Sequence, residues 1–550
     1  MRGCDMRMTP TGIDSQALQN CHPDPQAKDP VCGPDVCQDR SPDLSLRFAS
    51  FRMTQTGETV GIQKRRWFGS LGPFLMMLAM LVLPTARAQA GATIYPTPEG
   101  AAWADDFQVR VDGRELFVHD SKVAAFACFS LSGKVHVAVT VQRAFAKVDV
   151  RPKSDRVEYA VENQTIHFDL ERPCQLSIEL DGDIKRPLFL FADPPEEYVP
   201  KPTDKNVRCF EAGKIHEAGE IVLKSNETLY IAGGAVVRGR IRAQNATNLR
   251  ILGRGILDAT GRDYKTNMVR LSGCTNVELN GVTLLNSYGW TLVPMKSENV
   301  LIDNVKIIGW RDNDDGIDVV GCKNLNVHNC FVRTKDDCIA VKASPGYFEE
   351  GESGLQDVAG VAVVNTVLWN AEWGNAVEIG FELQTNSVKN IVFKDCDVIH
   401  VQSGGVFTIH NGDFATVENI RYNDIRVEDP RDKLVEFRIG LSIYSGDCPY
   451  EYYRKNPQRK RSPLGQWMPV AEGDLEKYAA RRGRIRNIHF ENIEVTAEKM
   501  PRSYLIGYDD EEHSVENIVF ENVRINDELV ETAAEGNFTI ENARGIRFTR

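Results

Sequence analysis

One pattern recurs along the second half of this 550-residue chain and restricts what it can fold into. An Asn is followed by alternating apolar residues, then by Asn, Asp or Gly, then by another apolar pair. It stands at NLRILGRGILD (248), NVELNGVTLLN (276), NVLIDNVKIIG (299) and NLNVHNCFVRT (324). It returns at NIVFKDCDVIH (390), NIRYNDIRVED (419), NIHFENIEVTA (487) and NIVFENVRIND (517). The first spacings are 28, 23 and 25 residues, a period that signals a solenoid. The strands are short, β-branched and alternating, and no helical period is present. One coil cannot bury its own apolar side, but stacked coils form a continuous core. The expected fold is a right-handed parallel β-helix over residues 206–550, with asparagines stacked in ladders at its turns.

Residues 93–197 carry short runs such as FQVRVDG, VHVAVTV, KVDVRP, TIHFDL and QLSIELDG. Period-two alternation broken by Gly, Asp and Asn predicts antiparallel strands, hence a small β-sandwich. It contains no catalytic constellation. The Pro-rich, charged stretch ADPPEEYVPKPTDK (192–205) reads as a linker, with residues 198–205 as the connection proper.

Residues 1–60 are rich in Pro, Asp and Gln without hydrophobic periodicity, and read as a disordered or misassigned extension, with Met53 as the alternative start. Residues 61–90 have the order of a secretory signal: Lys64-Arg65-Arg66, an apolar run from Leu71 to Leu83, then Ala86-Arg87-Ala88. The apolar run is shorter than the ~20 residues of a spanning helix. The expected location is secreted or periplasmic, with no stable membrane association after signal cleavage. The arginines before Trp67-Phe68 also permit twin-arginine export.

A formal charge of −12 argues against nucleic acid as a partner, since phosphate binding needs clustered Lys and Arg. Thirteen cysteines are present, nine of them after the signal, without C-x-x-C or zinc spacing. No metal and no cofactor are expected, and the cysteines read as thiols stacked inside the coils.

The stretch Trp310 to Lys342 holds two acidic clusters. Asp312, Asp314, Asp315 and Asp318 surround one tight turn, and Asp336-Asp337 follow one coil later. From Asp315 to Asp336 is 21 residues and to Asp337 is 22. Adjacent coils lie about 4.8 Å apart, so one carboxylate can stand directly above another while the diagonal pair is longer. Inverting glycoside hydrolysis needs two carboxyls roughly 6.5–9.5 Å apart. Three crowded carboxyls cannot all ionise easily, so one keeps a proton and becomes the acid.

N-D-D-G-I-D at 313–318 followed by D-D-C-I-A-V-K at 336–342 resembles glycoside hydrolase family 28, the polygalacturonases and related pectin hydrolases. The resemblance covers roughly 205–550. It implies a right-handed parallel β-helix and inverting, metal-free hydrolysis. It makes Asp336 the general acid, with Asp315 and Asp337 holding and deprotonating the water. Asp314 and Asp318 are read as turn formers. The family's Gly-His-Gly corresponds to WGNAVEIGFE here, with Asn375 in the histidine's place, and its Arg-Ile-Lys triplet is missing. The nearest candidates are His410 in FTIHNGD and Arg438 in FRIG. Asn313, Asn375, His410, Arg438 and Trp310 are the candidate substrate contacts, and Trp290 and Trp373 are further candidates for stacking on sugar rings. The partner implied is a polysaccharide, pectic or another plant or algal glycan. Without the family's basic residues, a neutral α-glucan of the kind cut by dextranase-like β-helix families remains an alternative, as does a non-catalytic glycan-binding β-helix. Two interruptions of the repeat, 344–360 and 445–482, are candidate walls of a groove.

Overall fold

A computed structural model describes residues 91–261, 266–347, 354–449 and 466–550. The expected extension and signal segment, and the middles of both interruptions, lie outside the described residues. From Val207–Phe210 onward, strands stack coil on coil in one 31-stranded sheet system among the described residues, paired in parallel from coil to coil except for the short Glu528–Leu529, which pairs antiparallel with Val515–Ile525. Register links Val300, Leu325, Val361, Ile391, Ile420, Ile488 and Ile518 in one line. All seven are at most 1% exposed. Each such side chain contributes on the order of 1.5–3 kcal/mol by leaving water. A second line stacks Phe393, Tyr422, Phe490, Phe520 and Phe548, with consecutive ring centroids 4.7–5.3 Å apart. The fold is the all-β, right-handed parallel β-helix that the repeat predicts.

The asparagines hold the turns in two ways. Asn248, Asn276, Asn299 and Asn324 all have φ between 52° and 57°, a left-handed conformation that Asn tolerates better than most residues. Their side chains also form a ladder, from Asn248 Nδ2 on Asn226 to Asn324 Nδ2 on Asn299. On the next coil register places Gly360, φ +71°, between Asn324 and Asn390, so glycine fills the rung where asparagine is missing. The five cysteines of the repeat strands are buried, and all nine in the described residues are free thiols.

Ahead of the coils, two sheets face each other across a core that includes Phe107, Val137, Phe129 and Leu190. One correction to the sequence reading is required. Ala125–Ser132 and Asp183–Asp193 pair in parallel, whereas the other sandwich pairings are antiparallel. Both strands are apolar on both faces, as centrally buried strands are. Ala127, Phe129, Leu188 and Leu190 point into the sandwich, while Phe126, Phe189 and Phe191 point out onto the coils. There they meet Ile308, Phe331, Trp369 and Ile399, with the Phe189 and Phe331 rings 4.8 Å apart. Polar contacts fix the same junction: Lys306 Nζ to Asp193 at 2.8 Å, and His400 Nε2 to Glu179 at 3.0 Å.

Candidate active site

Five strands on successive coils build one face: Ile317–Val320, Ile339–Ala343, Val377–Leu383, Gly405–Asn411 and Lys433–Ile439. Ile317 pairs with Ile339. Counting back two residues sets Asp315 directly opposite Asp337 and leaves Asp336 on the diagonal. Gly316 N donating to Asp337 O at 2.8 Å carries the same register into the turn. Ile339 pairs with Val377, so Asn375 comes next beneath Asp337. The three aspartates and Asn375 therefore share one edge of the sheet.

Their exposures differ. Asp315 is 3% and Asp337 8% exposed, while Asp336 is only half-buried. Asp315 Oδ2 accepts from Lys342 Nζ at 2.8 Å, and Lys342 also lies 3.0 Å from Asp318 and 4.0 Å from the Trp290 ring centroid. Asp337 Oδ1 accepts from Asn375 N at 2.7 Å and Asn375 Nδ2 at 3.1 Å. Burial pushes the Asp337 pKa well up, and Asp315, Asp336 and Glu378 push it further, against the pull of Lys342. Asp318 is raised by burial and by Asp315, again opposed by Lys342. One lysine thus serves several carboxyls, and burial with mutual repulsion pushes Asp337 and Asp318 toward protonation, a bias that belongs to the cluster rather than to one residue. Among the described residues no group of His, Cys, Asp and Glu is arranged to hold a metal ion.

Asp314 sits below the turn and is fully buried. It accepts from Arg311 N, Lys335 N and Asp336 N at 2.9, 2.9 and 3.2 Å, tying the two acidic turns together. Gly374 lets the following coil pass under the Asp pair. Its φ is +65°, and a Cβ there would lie 2.4 Å from Asp337 N and 2.5 Å from Asp336 Oδ1.

Further along the same face, the register aligns Glu378, Thr408 and Glu436, with His410 and Arg438 two residues on. Period two turns all of them to one side. His410 is 3% exposed, held between Glu378 (Nδ1 to Oε1, 3.0 Å) and Glu436 (Nε2 to Oε2, 3.4 Å) and stacked on Phe381 at 4.5 Å. Burial lowers its pKa, but the two glutamates outweigh that and raise it to about 9. Burial raises Glu436, yet His410 and Lys433 hold it well below the usual carboxylate range. Asn375 Nδ2 also donates to Glu378 at 3.0 Å and joins this column to Asp337. His410 thus meets the site through Glu378, not as an open substrate contact. Arg438 lies 3.9 Å from Glu436 with its guanidinium over Trp467, which the described end of the 445–482 interruption lays on this column. Asn313 is exposed with φ +63°, at the tip of the first acidic turn. Trp310 is half-buried, its Nε1 donating to Asn286 at 2.8 Å.

Sequence reasoning gave no role to Lys342, Glu378, Glu436 or Lys433. Lys342 ends the quoted D-D-C-I-A-V-K motif, and Glu378 interrupts the apolar run AVEIGF. A charged residue inside an otherwise apolar strand was the available signal.

Residues 198–435 match the family described as Glycosyl hydrolases family 28. A probable polygalacturonase of Vitis vinifera is 26% identical over 139 residues, 25% of this chain and 28% of that protein. Probable exopolygalacturonase B of Aspergillus fumigatus is 26% identical over 204 residues, 32% of this chain and 44% of that one. The chain spans less than half the length of these curated relatives. Among solved structures, Dex49A from Penicillium minioluteum shares the fold at a TM-score of 0.55 and 13% identity, over 83% of this chain and 97% of its own. That likeness extends well outside the family match. Over residues 198–435 this chain is polygalacturonase-like, and it carries the family 28 resemblance announced by its two aspartate motifs.

Proposed function

We propose that this protein hydrolyses O-glycosidic bonds of a polysaccharide with inversion, through Asp315, Asp336 and Asp337. The observation that carries the reading is a difference within one cluster: Asp336 is reachable from solvent, and Asp337 beside it is buried and biased toward its protonated form. Asp336 gives the shared proton to the leaving glycosidic oxygen as the bond from the anomeric carbon breaks. Water attacks that carbon from the opposite side and loses a proton to the Asp315–Asp337 pair. Proton exchange with solvent then restores the starting state. Lys342 donates to Asp315 and fixes its position for the second role, and Asn375 orients Asp337 through two donors. Asp336→Asn and Asp337→Asn test the assignment, with reducing ends as the readout. Full activity in either variant overturns it. Proton NMR of the first product anomer must show inversion.

The relatives' names make a polygalacturonate-type substrate the first choice. A neutral α-glucan is favoured by a different observation: on this sheet face Lys342 and Lys433 are both bound to carboxylates. A reducing-sugar screen over pectic, α-glucan and algal polymers separates the two. The reading includes export through the 61–90 segment. N-terminal sequencing of the exported protein is expected to find a start just after Ala88, and an intact segment would contradict it.

A further inference from the structure

A cleft of about 1030 Å³ lies between the sandwich and the coils, next to the aspartates. Its floor takes one turn from each of six successive coils: Tyr288, then Trp310–Asp312, Lys335, Glu372, Gln402 and Arg431. At about 4.8 Å per coil this floor is about 24 Å long. Lys335 immediately precedes Asp336, and Asp312 belongs to the first acidic turn, so the cleft borders both acidic turns. The opposite wall is the sandwich, through Lys122 and the turn that carries Lys185.

The charge of the lining is unlike that of the molecule. Lys122, Lys185, Arg311, Arg333, Lys335 and Arg431 line it against three acidic side chains, in a chain whose formal charge is −12. Lys335 is partly neutralised by Asp312 at 2.8 Å and Arg431 by Asp429 at 2.8 Å. Lys122 and Lys185 are exposed, and neither forms an ion pair among the described residues. Lys122 Nζ stands 5.6 Å from the Trp310 ring centroid, which puts a cation beside the aromatic wall of the cleft. A local basic trough attracts anions that the acidic surface elsewhere repels.

We infer that the sandwich is part of the substrate site: Lys122 and Lys185 grip acidic groups, carboxylate or sulfate ester, of a glycan chain threaded along this cleft toward Asp336. Both lysines lie outside the 198–435 family match. The inference rests on the hydrolase reading for the direction of the chain, but its binding step stands apart from catalysis.

The test therefore uses full-length protein carrying Asp336→Asn, so that binding is read without turnover. Calorimetry follows oligogalacturonate, a sulfated galactan oligosaccharide and a dextran oligosaccharide of matched length. Lys122→Glu with Lys185→Glu is expected to weaken binding of one acidic oligosaccharide by roughly tenfold or more, with a salt dependence that the variant loses. Lys122→Arg with Lys185→Arg is expected to restore it. Which acidic probe responds identifies carboxylate or sulfate. In the active enzyme the charge reversal should raise KM and leave kcat nearly unchanged. Unchanged affinity for both acidic probes, or equal loss for dextran, overturns the inference while leaving the aspartate roles intact. Full activity of Asp336→Asn instead overturns the hydrolase reading and leaves the binding result standing.

Discussion

Two clusters of buried carboxyls share one face of the β-helix, and they are balanced differently. Along Glu378, His410, Glu436 and Lys433 cations alternate with acids, so Glu436 is held ionised and His410 charged. At Asp315, Asp318, Asp336 and Asp337 a single lysine faces several acids, and Asp337 and Asp318 are pushed toward protonation. In the first arrangement the His410 proton is held between Glu378 and Glu436, and the column serves as scaffold. The second biases Asp337 and Asp318 toward holding one, beside an accessible carboxyl. A motif of acids identifies a reactive site only where its counter-charges run short.

Breaking the contrast at its reactive end has the largest effect. Asp336→Asn and Asp337→Asn are each expected to lower kcat by about 10²–10⁴, the usual contribution of acid–base catalysis. Glu436→Gln in the balanced column should act mainly on stability, and a kcat loss there as large as for Asp336 would erase the distinction. Lys342→Met leaves Asp315 and Asp318 buried without their cation, and about 3–5 kcal/mol of stability should be lost in denaturant titrations at neutral pH. Recovery as the pH falls and Asp318, already raised by burial, protonates would sharpen the case.

A smaller effect comes from His410. Its pKa in the folded protein is raised from 6.5 to about 9, so its stabilisation is whole below 6.5 and fades as pH rises through about 9. Denaturation curves at pH 6 and 9.5 should differ, and His410→Gln should flatten that difference. His400 is raised with the same sign, so the slope should shrink but not vanish. The smallest change concerns neither cluster. Asn299→Ala removes two ladder contacts at φ 57° and should cost about 1–2 kcal/mol without touching kcat. Asn299→Gly should recover part of it.

Much of this was legible along the chain. The N-x-x repeat declared the coils because asparagine in a left-handed turn and alternating apolar residues are local requirements of each rung. The 22-residue step from Asp315 to Asp337 was likewise visible. His410 and Arg438 were noticed but cast as open contacts, because a strand's period says which side a residue faces and not what covers that side. Trp467, brought from a long interruption, is what covers it. The parallel pairing of Ala125–Ser132 with Asp183–Asp193 was missed because their unbroken apolar runs show burial on two faces without naming the second partner.

Local order, then, came from the sequence: a strand, turn and ladder residue repeat because each coil meets the same steric and hydrogen-bonding demands. The charge balance at the aspartates did not. How many carboxyls share Lys342, and that a sandwich lysine faces a cleft beside Asp336, depend on which distant segments are pressed together. Charge interaction falls with distance through space, and chain separation carries no information about that distance.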